Sequence, residues 1–162
     1  MSEESTGSSS QTSTGIMIAI GCLAVGAVIL VCGGVGAAIA IPNFVAMQYK
    51  TKRAEVPTNL QRIKTSMIAY EQNFDVFVKC SAYPPTPGGK TTQMWSTGSS
   101  GGFKVIDFQP DGDVRGSYMV STSSFNFTAT GIIDVDGDGV YATYVATKSE
   151  NPISPITAPD IY

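Results

Sequence analysis

The stretch from Ile16 to Ile41 constrains this chain more than any other feature, because 26 consecutive residues carry no charge and are mostly Ile, Val, Leu, Ala and Gly. A bilayer core of about 30 Å is crossed by about 20 such residues in a helix. A signal-peptide core runs to about 7–15 residues behind a basic leader, so this segment is too long and wrongly flanked for one. It is apolar around its whole circumference, unlike a helix that covers one face of a soluble core. Residues 16–41 are therefore expected to form a transmembrane helix in contact with membrane lipid. Its glycines Gly21, Gly26, Gly33, Gly34 and Gly36 would let neighbouring helices approach closely. Residues 1–15 contain no apolar side chain after Met1 and are expected to be a flexible Ser/Thr/Gly-rich tail.

The remaining residues, 42–162, suffice for one small soluble domain. Histidine is absent, which excludes Ser–His–Asp and Cys–His nucleophiles and every histidine-based metal site. A net charge of −3 offers no basic surface for nucleic acid. Of three cysteines, only Cys80 lies outside the apolar stretch, so no disulfide framework is expected. Catalysis finds no constellation of acid, base and nucleophile, and the chain is not expected to be an enzyme.

After the apolar stretch a helix is expected to run over 42–78. Val56, Leu60, Ile63, Met67, Tyr70, Phe74 and Phe77 form one apolar stripe, with Asn59, Gln61, Arg62, Lys64 and Glu71 around it. Pro57 frees the carbonyl of Arg53 and either kinks this helix or begins a new one. Residues 79–102, rich in Pro and Gly, read as a connecting loop with Trp95 as its anchor to the core. Residues 103–148 read as a four-stranded meander. Its strands are expected at Phe103–Phe108, Arg115–Ser121, around Phe125–Thr130 and at Val140–Thr147, with turns at Pro110–Gly112 and Asp136–Gly139. Residues 149–162, with three prolines, read as an extended tail. The fold class is α+β: a long N-terminal helix, its first half transmembrane, packed on a four-stranded antiparallel sheet.

The run Ala38-Ile-Ala-Ile-Pro-Asn-Phe44, closing an apolar helix and followed by Lys50–Arg53 and the amphipathic helix from Asn59 to Phe77, resembles the type IV pilins and pseudopilins. The resemblance covers about residues 28–148, specific in its first third and architectural afterwards. It implies a structural subunit of a type IV pilus or type II secretion-like filament, associating with itself or other pilin-like subunits through the N-terminal helix. Gly34, Ala38, Pro42 and Phe44 would serve helix packing and assembly. It also implies a single-pass inner-membrane protein with the C-terminal domain periplasmic or extracellular, although Lys50, Lys52 and Arg53 would put that domain in the cytoplasm if charge alone decided. Two departures stand out. Family members carry a glutamate seventeen residues before the proline matching Pro42, where this chain has Val25, and no basic leader with its cleavage site is evident.

One chemical motif remains. Asp134, Asp136, Asp138 and Gly139 match the first half of a calcium-binding Asp-x-Asp-x-Asp-Gly loop, with Val140 placed to offer a backbone carbonyl. The closing acid of such a loop would fall at Val145. The alternative is a solvated Asp-Gly hairpin turn, and Asp111 with Asp113 form a second acidic turn that could share a cation. A function of a different class is thus a non-polymerising, membrane-anchored periplasmic binding module stabilised by calcium.

Overall fold

Val56, Leu60, Ile63 and Met67 are fully shielded from solvent, so the first four residues of the expected stripe face a sheet, whereas Phe74 at its far end is 60% exposed. In a computed structural model of the chain, the described residues are 17, 21–23, 26, 41–96, 98, 100–158 and 160–162. The chain divides into two units, Met1–Ala46 and Met47–Tyr162. In the first, the described residues are helical, and Ile41 and Phe44 are more than half exposed. Pro42 is exposed within this helical stretch, whereas Gly34 and Ala38 lie outside the described residues.

The second unit holds every named element. Residues 47–53 are helical, Ala54 is a turn, and helix α1 occupies Glu55–Phe74. Pro57 therefore sits in the first turn of a new helix, where its missing N–H costs nothing because the first four helical amides have no intrahelical acceptor. Asp75 ends α1 in the left-handed conformation (φ 58°) and donates its N–H to the Glu71 carbonyl at 2.8 Å. The helix stops short of the expected 78. Phe77 leaves it and packs instead on the ring of Phe127, with centroids 5.4 Å apart.

Strand β1 (Cys80–Tyr83), helix α2 (Gly102–Val105) and strands β2 (Ser117–Thr122), β3 (Phe127–Ile133) and β4 (Ala142–Thr147) follow. The sheet is antiparallel throughout, in the order β1-β2-β3-β4. Its composition differs from expectation at the first strand. Phe103, Ile106 and Phe108 are buried while Val105 is 52% exposed, a three-residue spacing that suits a helical turn and not alternation. Phe103 and Phe108 pack edge-on against Trp95 at 5.4 and 5.5 Å, so the connector folds around that indole. The fourth strand comes from Cys80–Tyr83, inside the segment read as loop.

The seam between helix and sheet is set by small residues. Gly131 pairs with Tyr118 on one side and Tyr144 on the other. A Cβ at Gly131 would stand 2.5 Å from Val56 Cγ1 and 3.2 Å from Leu60 Cδ1, so the glycine makes the slot into which α1 settles. Ala129, flanked by Val120 and Ala146, continues the shallow floor. The C-terminal residues then strap the unit. Ile156 N–H donates to the Thr143 carbonyl beside β4, and Lys64 Nζ holds the Glu150 carbonyl and Asn151 Oδ1, both at 2.9 Å. Arg53 donates to the Ile161 carbonyl and lies over the Tyr162 ring.

The architecture is thus α+β with a four-stranded antiparallel sheet, but the membrane-spanning first half of the helix is not borne out. Among the described residues no helix is long and apolar enough to cross a membrane. Helix α1 has the length, yet Glu55, Arg62, Lys64 and Glu71 punctuate it. Most of residues 16–41 lie outside the described residues. The single-pass inner-membrane location expected from that span is corrected with it.

Candidate functional site

Strand β3 ends at Ile133 and delivers Asp134 into the turn at the β3–β4 end of the sheet. Gly137 (φ 71°) and Gly139 (φ 85°) take left-handed conformations there, and this curls the chain round its own carboxylates. Asp134 is 7% exposed and organises the turn: one oxygen accepts the Gly137 N–H at 2.6 Å, the other the Gly139 N–H at 3.0 Å. Asp138 Oδ1 accepts the Val140 N–H at 2.7 Å, and Asp136 Oδ1 accepts the Asp138 N–H at 3.4 Å. The Val135 N–H donates to the Tyr162 carbonyl at 2.9 Å, tying the turn to the C-terminal strap.

Asp134, Asp136 and Asp138 each bring a carboxylate oxygen within 4.8 Å of the others. Desolvation, with the charge of Asp138 added, raises the Asp136 carboxyl above its ordinary value. A hard cation would relieve that repulsion, and an all-oxygen donor set suits calcium or magnesium. The set is nevertheless short of the roughly 6–8 oxygens calcium takes. Both Asp134 oxygens already accept backbone amides, Val140 enters the turn as an amide donor to Asp138, and Val145 belongs to β4 opposite Thr130. The stem of Lys90 lies across Gly137, where a Cβ would meet Lys90 Cε at 3.0 Å. Neither Asp111 nor Asp113 joins the cluster, and Asp111 forms an exposed ion pair with Arg62 at 2.8 Å.

A second carboxylate, Glu55, escaped the sequence reading. It accepts the Arg115 N–H on both oxygens (2.9 and 3.1 Å), the Gly116 N–H at 3.2 Å and the Tyr118 hydroxyl at 2.9 Å. Asn59 Nδ2 donates to the same Tyr118 oxygen at 2.9 Å. Burial, with the Glu55 charge beside it, pushes the Tyr118 hydroxyl well above the usual phenol range, so it stays a protonated donor. This network pins the start of α1 to the start of β2. Nothing local in the sequence marks Glu55, since its partners lie about sixty residues away.

Cys80 is buried, its thiol donates weakly to the Val78 carbonyl at 3.6 Å, and burial pushes its pKa up to about 12. A thiol so raised is not a nucleophile near neutral pH. No protein-family description, curated protein or solved structure matches the chain.

Proposed function

We propose that this chain is a structural, pilin-like subunit of a filament of the type IV pilus or type II secretion kind, acting by association with like subunits and not by catalysis. The observation that supports the reading is the pairing of two features: the Ala38–Phe44 run, and downstream of it one 20-residue helix laid by a single stripe on a sequential antiparallel meander. Gly34, Ala38, Pro42 and Phe44 are the residues assigned to helix packing in such an assembly. The test is recovery of the chain, by mass spectrometry, in fibres sheared from the surface of cells that make it. Recovery in the fibre fraction supports the subunit reading, and recovery only as a dispersed monomer overturns it.

The converging carboxylates favour a second reading, a non-polymerising binding module whose β3–β4 turn takes up calcium. Its donor set puts it in the weak class, with dissociation constants of about 0.1–1 mM. Thermal unfolding with and without millimolar CaCl2 separates the outcomes. A rise in Tm that Asp138→Ala removes supports the metal, and an unchanged Tm eliminates it.

A further inference from the structure

Beyond assembly and the acidic turn, a groove of about 410 Å³ runs along the side of α1 between its last turns and α2. Its lining includes Ser66, Tyr70, Asn73 and Phe74 from α1, with Val105 and Asp107 opposite. We propose that this groove receives a lysine or arginine side chain presented by a partner protein.

Three properties converge on that chemistry. The first is the ring pair Tyr70–Phe74, with centroids 4.5 Å apart and Phe74 60% exposed, which offers π-faces to a cation. The second is negative charge on the lining itself. The groove lies at the C-terminal end of a 20-residue helix, where backbone carbonyls carry partial negative charge, and α1 has no basic residue in its last turn. Asp107 adds a full charge, and among the described residues no basic side chain lines the groove, Lys104 in the last turn of α2 standing outside the lining. The ion pairs among the described residues, Arg62–Asp111 and Lys148–Glu71, do not use it. Asp107 also holds a left-handed conformation (φ 52°) just past α2, a position where glycine is the least costly residue. The third is a set of oxygen acceptors: Asn73 Nδ2 donates to the Ala69 carbonyl at 2.7 Å and its amide oxygen accepts, as do the Ser66 and Tyr70 hydroxyl oxygens of the same lining. An aliphatic stem would lie on Val105, 52% exposed, while its cationic head meets Asp107 and the rings.

The test titrates the ¹⁵N-labelled full chain with the peptide acetyl-Gly-Lys-Gly-amide, using the norleucine analogue as the uncharged control. Shifts are expected at the amides of Ser66, Asn73, Val105 and Asp107, with a dissociation constant of about 1–10 mM. Asp107→Asn, which tolerates the same backbone conformation, weakens binding about two- to fivefold. Phe74→Ala, at an exposed position, does so by a similar factor of about two to five. Equal binding of the norleucine peptide makes this an apolar groove only and overturns the proposal. Shifts confined to residues 134–140 place the cation on the acidic turn and overturn it equally, as does the absence of any shift.

Discussion

Glu55, half-buried, and Asp134, buried, each accept two backbone N–H groups, yet they do different work. Glu55 draws its donors from Arg115, Gly116 and Tyr118 and so joins two elements far apart in sequence. Asp134 draws its donors from Gly137 and Gly139, three and five residues on, and so shapes only its own turn. A carboxylate that closes a long loop contributes to the cooperative core, whereas one that closes a short turn sets local geometry that can loosen independently. The helix–sheet seam and the β3–β4 turn should therefore respond unequally to the loss of comparable groups.

The strongest challenge to that contrast is Leu60→Ala. Leu60 is fully buried over Gly131, and truncation leaves a cavity that α1 cannot fill because its slot is already narrow. A loss of about 2–5 kcal/mol is expected in denaturant unfolding. Glu55→Ala comes next. It leaves two backbone amides and the Tyr118 hydroxyl without their acceptor and should cost about 1.5–3 kcal/mol. A double-mutant cycle with Tyr118→Phe should show positive coupling, and strict additivity would mean that the tether contributes nothing across the seam.

Asp134→Ala should cost less, about 0.5–2 kcal/mol, the range for losing a side-chain cap on backbone amides. Hydrogen exchange is the discriminating measurement: faster exchange confined to residues 134–140 supports a local role, and acceleration along α1 removes the distinction between the two carboxylates. The smallest effect belongs to Asp136→Asn, which keeps the oxygen that accepts the Asp138 N–H. The folded-state carboxyl titrates above its unfolded value of 3.8, so its favourable contribution is complete below 3.8 and is lost as pH rises through the folded value. The asparagine variant should then melt slightly above the parent at pH 7 in calcium-free buffer, and the gap should close below pH 3.8. A variant that melts below the parent at pH 7 contradicts repulsion within the turn.

Where the sequence was legible, the reason was periodicity. The 4-3-4 spacing from Val56 to Met67 can place four apolar side chains on one side only if the backbone is helical, and all four are buried. Strand β3 alternates buried Phe127, Ala129, Gly131 and Ile133 with partly exposed Thr128, Thr130 and Ile132, the two-residue period of a half-covered sheet. The acidic turn was equally readable, since Asp and Gly at alternate positions specify a local conformation. Phe103–Phe108 misled because six residues are too few to separate a strand from a helical turn by pattern.

What the sequence alone determined, then, is everything carried by contacts within a few residues: the α1 stripe, the alternation of β3 and the Asp-Gly turn. Tertiary structure decided the rest. Cys80–Tyr83, with only Cys80 fully buried, is a strand because β2 supplies its hydrogen-bonding partner, not because its own composition demands one. Gly102–Val105 became a helical turn, with Phe108 just beyond it, because Trp95 offered a surface that buries Phe103 and Phe108 together. Glu55 acquired its role only when folding brought Arg115, Gly116 and Tyr118 to the start of α1. The physical reason is common to all three: the energy of each depends on a partner distant in the chain, and local pattern does not encode which partner will arrive.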